Sequence, residues 1–189
     1  DLPLSRGLGD VYKRQIHRGV HHLAQAATAA HEVARETIAR HLNATRPEEI
    51  IFTSGTTDSV NLVASSLGRS DRFVNGDEII ISGLEHHSNT VPWQMLCERL
   101  GITLKVIPVL DDGTLDLDAY QELLSDRTKL VAVNHVSNAF GTVNKVIQIC
   151  SQAKKVGALT FIDGAQSLPH MSIDVKNAVS YTHLTLPTI

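Results

Sequence analysis

The feature that most constrains this chain is the run Leu159–Gln166, Leu-Thr-Phe-Ile-Asp-Gly-Ala-Gln. Four mostly apolar, β-prone residues lead into an acid, a glycine, a small residue and a glutamine. A short run almost unbroken by polarity is how a strand buried on both faces of a parallel sheet reads. Asp163 then falls where the strand ends, and in open α/β sheets ligands bind outside the carboxyl ends of the strands. A carboxylate there can face a bound group while partly desolvated. Equally, it can cap the following turn, with Gly164 supplying the bend.

The same pattern recurs along the chain. An Ala-rich helix is expected over about Leu23–Leu42, with Ala27, Ala30, Val33, Ala34 and Ile38 at helical spacing, ended by Asn43 and Pro47. Strands are expected at Glu49–Thr53, Glu78–Ser82, Leu104–Val109, Leu130–Asn134 and Leu159–Asp163. Helices are expected at Asp58–Leu67, Val91–Leu100, Leu117–Leu124 and Lys145–Val156. Strands alternating with helices predict an α/β domain with a mainly parallel sheet and crossover helices. Residues 1–15 show no sustained period and read as a tail. Residues 179–189 have strand propensity, but nothing follows for them to pair with, so they read as a second tail; the domain is expected over 16–178.

Composition narrows the function. The 189 residues carry 17 basic and 20 acidic side chains, a net charge of −3, with no basic run. Nucleic acid and anionic membranes are therefore not expected as partners. No apolar stretch is long enough to span a bilayer and no signal-peptide pattern opens the chain. Two cysteines, Cys97 and Cys150, make no disulfide framework, and a reducing cytoplasm is expected.

Several expected strands are followed by a small-polar cluster: Ser54–Thr57, Glu85–Asn89, His135–Asn138 and Asp163–Gln166. A parallel sheet brings such clusters to one edge, which predicts a composite site there. In Ser54-Gly55-Thr56-Thr57 the glycine lets backbone approach a ligand, and the helix start favours an anion. The alternative is a plain N-cap by Thr56 or Thr57. No Walker A loop and no Gly-x-Gly-x-x-Gly fingerprint occurs. His17 and His21 stand four apart and His31-Glu32 begins a zincin-like pattern. Its fourth position is Arg35, so that motif fails and no metal is expected. Cys97 and Cys150 fall inside amphipathic helices and are expected in the core.

Five motifs appear in order: His17-Arg18-Gly19-Val20-His21, Thr53-Ser54-Gly55-Thr56-Thr57, Glu85-His86-His87-Ser88-Asn89-x-Val91-Pro92-Trp93, His135-Val136-Ser137-Asn138 and Asp163-Gly164-Ala165-Gln166. Together they resemble the Suf-type (group II) cysteine desulfurases, pyridoxal-phosphate enzymes of the class V aminotransferase fold. The resemblance covers about Ile16 to Ala178. It implies the large cofactor domain of a fold-type I enzyme, with pyridoxal 5'-phosphate as cofactor. Thr56 and Thr57 would hold the cofactor phosphate, and Asp163 would pair with the pyridinium nitrogen. Gln166 would bond the phenolic oxygen. His86 would stack on the ring and move a proton. Asn138 would contact substrate near its carboxylate, and His17–His21 would lie near the interface of a homodimer.

The implied reaction takes sulfur from L-cysteine, leaving L-alanine and an enzyme persulfide whose sulfur passes to an acceptor protein of the Suf system for iron–sulfur cluster assembly. Departures from the family are equally informative. The Ser-Gly-His-Lys motif that carries the Schiff-base lysine is absent, as are the persulfide cysteine and the arginines that hold the substrate carboxylate. The chain therefore resembles an internal piece with an incomplete large domain, expected to be inactive as given. Of its lysines, Lys13, Lys105, Lys129, Lys145, Lys154 and Lys155 are expected away from the site, and only Lys176 is not so placed. A selenocysteine lyase, another class V aminotransferase, or a non-catalytic fragment are the alternative readings.

Overall fold

The computed structural model describes residues 22–178 and 182–185. The chain divides into two compact units, residues 1–51 and 52–189. The expected contribution of His17 and His21 lies outside the described residues.

In the first unit, α1 spans His22–His41 and a 3-10 turn spans Pro47–Glu49. Asn43 ends the helix with φ 54°, a left-handed position that asparagine tolerates better than most residues. The expected apolar stripe is not what α1 buries. Ala24 and Ala39 are buried, whereas Val33 is 60% exposed and Ala30 and Ala34 are exposed. A stripe made mostly of methyl groups covers little area, and the described part of this unit offers only a short turn to pack on. Glu49–Thr53 is not a strand either. Extended backbone becomes a strand only with a neighbour for its N–H and C=O groups, and no described strand pairs with it.

In the second unit the helices are α2 (Thr56–Leu67), α3 (Val91–Leu100), α4 (Leu117–Leu123), α5 (Val146–Lys155) and α6 (Val175–Ala178). The strands are β1 (Glu78–Ser82), β2 (Thr103–Ile107), β3 (Thr128–Asn134), β4 (Leu159–Asp163) and β5 (Thr182–Thr185). They form one sheet in the order β2-β1-β3-β4-β5. Every pairing is parallel. β2 stops at Ile107 because Pro108 has no N–H to give the ladder. The stretch expected to have no partner does have one: Thr182–Thr185 adds to the free edge of β4, with Asp163 opposite Thr185. Its propensity sufficed once an unpaired parallel edge was available.

Side-chain alternation divides the core into two layers. Ile79 and Ile81 of β1 join Leu130, Ala132 and Phe161, packed with Val60 and Ala64 of α2 and Trp93 and Leu96 of α3. Ile80, Val131, Val133 and Ile162 point the other way, against Tyr120 of α4 and Ile149 and Ala153 of α5. Both faces of the central strands are thus covered, which is why the middles of β1, β3 and β4 are almost entirely apolar. Trp93 and Phe161 meet edge to face with centroids 5.4 Å apart. Cys97 and Cys150 sit one in each layer, as expected; burial pushes the Cys97 thiol up to about 11. No described helix is long and apolar enough to cross a membrane.

The amino-end edge of the sheet is closed by charge. Lys105 Nζ lies 2.8 Å from Glu78 Oε1 and donates to the Leu123 carbonyl at 3.0 Å. Ser125 Oγ donates to Glu78 Oε2 at 2.7 Å. Burial pushes the Glu78 carboxyl up, but Lys105 and Ser125 overcome it and hold the group below its ordinary value. Lys105 is therefore committed to the edge opposite the small-polar clusters.

Phe161 is fully buried at the centre of one layer. Phe161→Ala should lower the unfolding free energy by about 3–5 kcal/mol. Urea unfolding followed by circular dichroism reads this directly.

Candidate active site

The carboxyl ends of β1, β3 and β4 and the start of α2 surround one cavity of about 750 Å³, a size that suits a small ligand or cofactor. All six residues singled out from the sequence line it: Thr56, Thr57, His86, Asn138, Asp163 and Gln166. None of the lysines among the described residues does, Lys176 included.

The helix start is built without a side-chain cap. Gly55 is the N-cap, with φ 156° and ψ 175°, a backbone region that a side chain would strain. Thr56 and Thr57 are thus the first two helical residues and not the cap. With no cap oxygen at Gly55, the positive end of α2 is presented to the cavity together with the two hydroxyl-bearing residues. Ser54 folds back instead on the first turn, its N–H and Oγ both donating to Asp58 Oδ2 at 3.1 Å.

Asp163 ends β4, 5% exposed. Its Oδ1 accepts the Ala165 N–H at 2.9 Å, and its carbonyl accepts the His135 N–H at 2.9 Å. It therefore caps the turn, as one of the two sequence readings had it, and it also lines the cavity. Gln166 and Asn138 are exposed at the rim.

His86 caps a 3-10 turn, His87–Asn89, its Nδ1 accepting the Ser88 N–H at 3.2 Å. An Nδ1 used as an acceptor puts the ring proton of neutral His86 on Nε2. His135, at the end of β3, is kept below the ordinary histidine value by burial.

The sequence reading missed the carboxyl group beneath His86. Glu85 Oε1 accepts from Ser82 Oγ and from the Asn134 N–H at 2.9 Å, and Oε2 accepts Asn89 Nδ2 at 2.6 Å. Asn89 Oδ1 in turn accepts the Trp93 indole N–H at 2.9 Å. Asn134, the register partner of Asp163, donates from its side chain to the Leu84 carbonyl at 2.6 Å and accepts from Asn144 Nδ2 at 2.6 Å. Burial pushes the Glu85 carboxyl up to about 7; the three donors pull it down, and the charge of Asp163 adds to the rise. In the sequence Glu85 stands at the head of the small-polar cluster Glu85–Asn89 and of its motif, but nothing there assigned the acid a role.

Among the described residues no group of three His, Cys, Asp or Glu side chains is arranged to hold a metal ion. His31 meets its neighbour Glu32 at 3.3 Å, and Arg35 lies 3.5 Å from the same carboxylate.

The aminotransferase class-V family matches residues 9–179. A probable cysteine desulfurase of Halalkalibacterium halodurans is 48% identical over 178 residues, covering 93% of this chain and 44% of that protein. The apo structure of a cysteine desulfurase from Thermococcus onnurineus NA1 superposes with a TM-score of 0.82 at 40% identity, covering 96% of this chain and 46% of that one. A structure of SspA in complex with cysteine superposes with a TM-score of 0.79 at 28% identity, covering 95% and 53%. The chain thus spans about half or less of the length of each relative.

Glu85 should also leave a mark on folding. Its folded value, about 7, lies above the ordinary 4.5. Ionising it costs the folded state more than the unfolded one, so its stabilising contribution is complete below about pH 4.5 and is lost as pH rises through about 7. Glu85→Gln should accordingly reduce the stability difference between pH 5 and pH 8. Urea midpoints of the two proteins at both pH values check this, with the parent losing more stability on going to pH 8.

Proposed function

Because the chain belongs to the aminotransferase class-V family, we propose that it is the cofactor-holding part of a pyridoxal-phosphate cysteine desulfurase of the Suf type. The whole enzyme moves sulfur from L-cysteine onto an enzyme cysteine, releasing L-alanine, and feeds an acceptor protein for iron–sulfur cluster assembly as a cytoplasmic homodimer. The observation that carries this reading is the single cavity joining the start of α2 to the ends of β1, β3 and β4. The desulfurase relatives, and the SspA structure held with cysteine, support the substrate.

The donor set suits the cofactor. Thr56 and Thr57, at an uncapped helix start, receive the phosphate dianion. Asp163 would offer a buried carboxyl group to the ring nitrogen and favour its protonated form. Gln166 donates to the phenolic oxygen from the rim. His86, on the cavity wall, would stack on the ring, with the Nε2 proton of its neutral form to give or exchange. Asn138 orients the substrate carboxylate. When bound, pyridoxal phosphate supplies an electron sink for charge developing on the substrate α-carbon. The chain's own residues position, polarise and exclude water; the covalent lysine and the nucleophilic thiol come from sequence beyond this piece. The buried state of Cys97 and Cys150 and the absence of a cavity lysine among the described residues favour that division.

Thr56→Ala combined with Thr57→Ala should weaken pyridoxal-phosphate binding, each lost charge-assisted hydrogen bond costing about 1.5–3 kcal/mol. A fluorescence or calorimetric titration that returned the parent affinity would move the phosphate elsewhere.

Binding by this chain should also be non-covalent. After incubation with pyridoxal phosphate and borohydride reduction, mass spectrometry should find no dominant site-specific lysine adduct and no alanine released from cysteine. A single adduct at Lys176 would overturn this.

A further inference from the structure

Glu85 has no part in the proposed chemistry, yet it occupies the centre of the site's support. Its two oxygens accept from three groups on two strands and one turn: Ser82 Oγ at the end of β1, the Asn134 N–H at the end of β3, and Asn89 Nδ2 in the 3-10 turn. Each bond holds something the cavity uses. Ser82 and Glu85 bracket the turn that delivers His86, the next residue. Asn134 is the register partner of Asp163, and the following residue, His135, donates its N–H to the Asp163 carbonyl at 2.9 Å. Asn89 carries the connection on to Trp93.

We propose that Glu85 is the positioning residue of this site, its carboxylate tying the ends of β1 and β3 together so that His86 and Asp163 are held on one cavity wall. The geometry stands by itself; the consequence for a cofactor rests on the reading of the cavity given above. All three partners are donors, so the ionised form makes all three bonds, against the cost of a buried charge that Asp163 opposes. Protonation removes one acceptor lone pair, and of the three donors Ser82 alone can turn its hydroxyl to accept instead. The titratable groups on the elements around it are Asp163 on β4, His86 and His87 just after it in the chain, and His135 just past β3. Asp163 is the one whose charge opposes ionisation of Glu85.

The chain contains a single tryptophan, Trp93, whose indole N–H is two hydrogen bonds away from Glu85. Its emission therefore reports the network. The full chain, without cofactor, is titrated from pH 5 to pH 9 as parent, Glu85→Gln, Ser82→Ala, His86→Gln and His135→Gln, with circular dichroism establishing that each is folded. A sigmoidal change with a midpoint near 7 is expected in the parent and in both histidine variants, and its loss in Glu85→Gln. In Ser82→Ala the midpoint should rise by about half a unit to one unit, because the carboxylate loses a donor. A midpoint that survives in Glu85→Gln, or disappears in a histidine variant, overturns the assignment. If Glu85→Gln does not fold, Ser82→Ala decides alone, and an unmoved midpoint there overturns it. Adding pyridoxal phosphate tests the other reading separately: a protonated ring nitrogen beside Asp163 should lower the parent midpoint. A Glu85-dependent midpoint that pyridoxal phosphate leaves unmoved upholds the positioning role and counts against the cofactor at Asp163.

Discussion

Parallel pairing is the constraint on which the remainder of this structure depends. In a parallel sheet each strand returns through a crossover, so every carboxyl end lies at the same edge. Ser82, Asn134 and Asp163 end neighbouring parallel strands, the last two as register partners, and the residues after them are delivered to one place. Reversing β1 alone would send His86 and Glu85 to the edge where Lys105 and Glu78 pair. The crossovers also cover both faces of the central strands, and that keeps the middles of those strands apolar. Covered faces and a polar edge are therefore two consequences of one topology.

Residues with a local cause were legible in the sequence. Leu159–Asp163 is a strand with the bounds its composition suggested, and β1 and α3 likewise, because apolar runs bounded by polar clusters or capping residues leave few alternatives. Elements whose fate depends on a neighbour were not. Glu49–Thr53 has strand composition but no described partner, whereas Thr182–Thr185, set aside as a tail, found the open edge of β4. The spacing in α1 is helical, but spacing cannot say whether anything covers the stripe, and Val33 remains exposed. Propensity is a statement about one segment; pairing and burial are statements about two.

The site shows the same division. The clusters after strands and at a helix start were legible by position, the family resemblance singled out the six candidate residues within them, and the structure gathers those residues around one cavity. Glu85 escaped because its importance lies in partners distant in sequence, such as the N–H of Asn134, 49 residues away. A conventional reading of an acid in a turn is a solvated side chain. Here it accepts three hydrogen bonds in a half-buried setting, and leaving those donors unmet would cost far more than a surface carboxylate contributes.

The charges around the cavity restrict what can occupy it. At the start of α2 an uncapped helix end favours an anion. At the end of β4 the buried Asp163 carboxyl lines the cavity, and a carboxylate there favours positive charge. An inorganic phosphate would satisfy only the first, and a simple amine only the second. A molecule that carries a phosphate and a basic ring nitrogen on one rigid frame answers both, and gains from the frame because its two ends are bound for a single loss of translational freedom. This polarity comes from backbone ends and a buried carboxyl, not from any one motif.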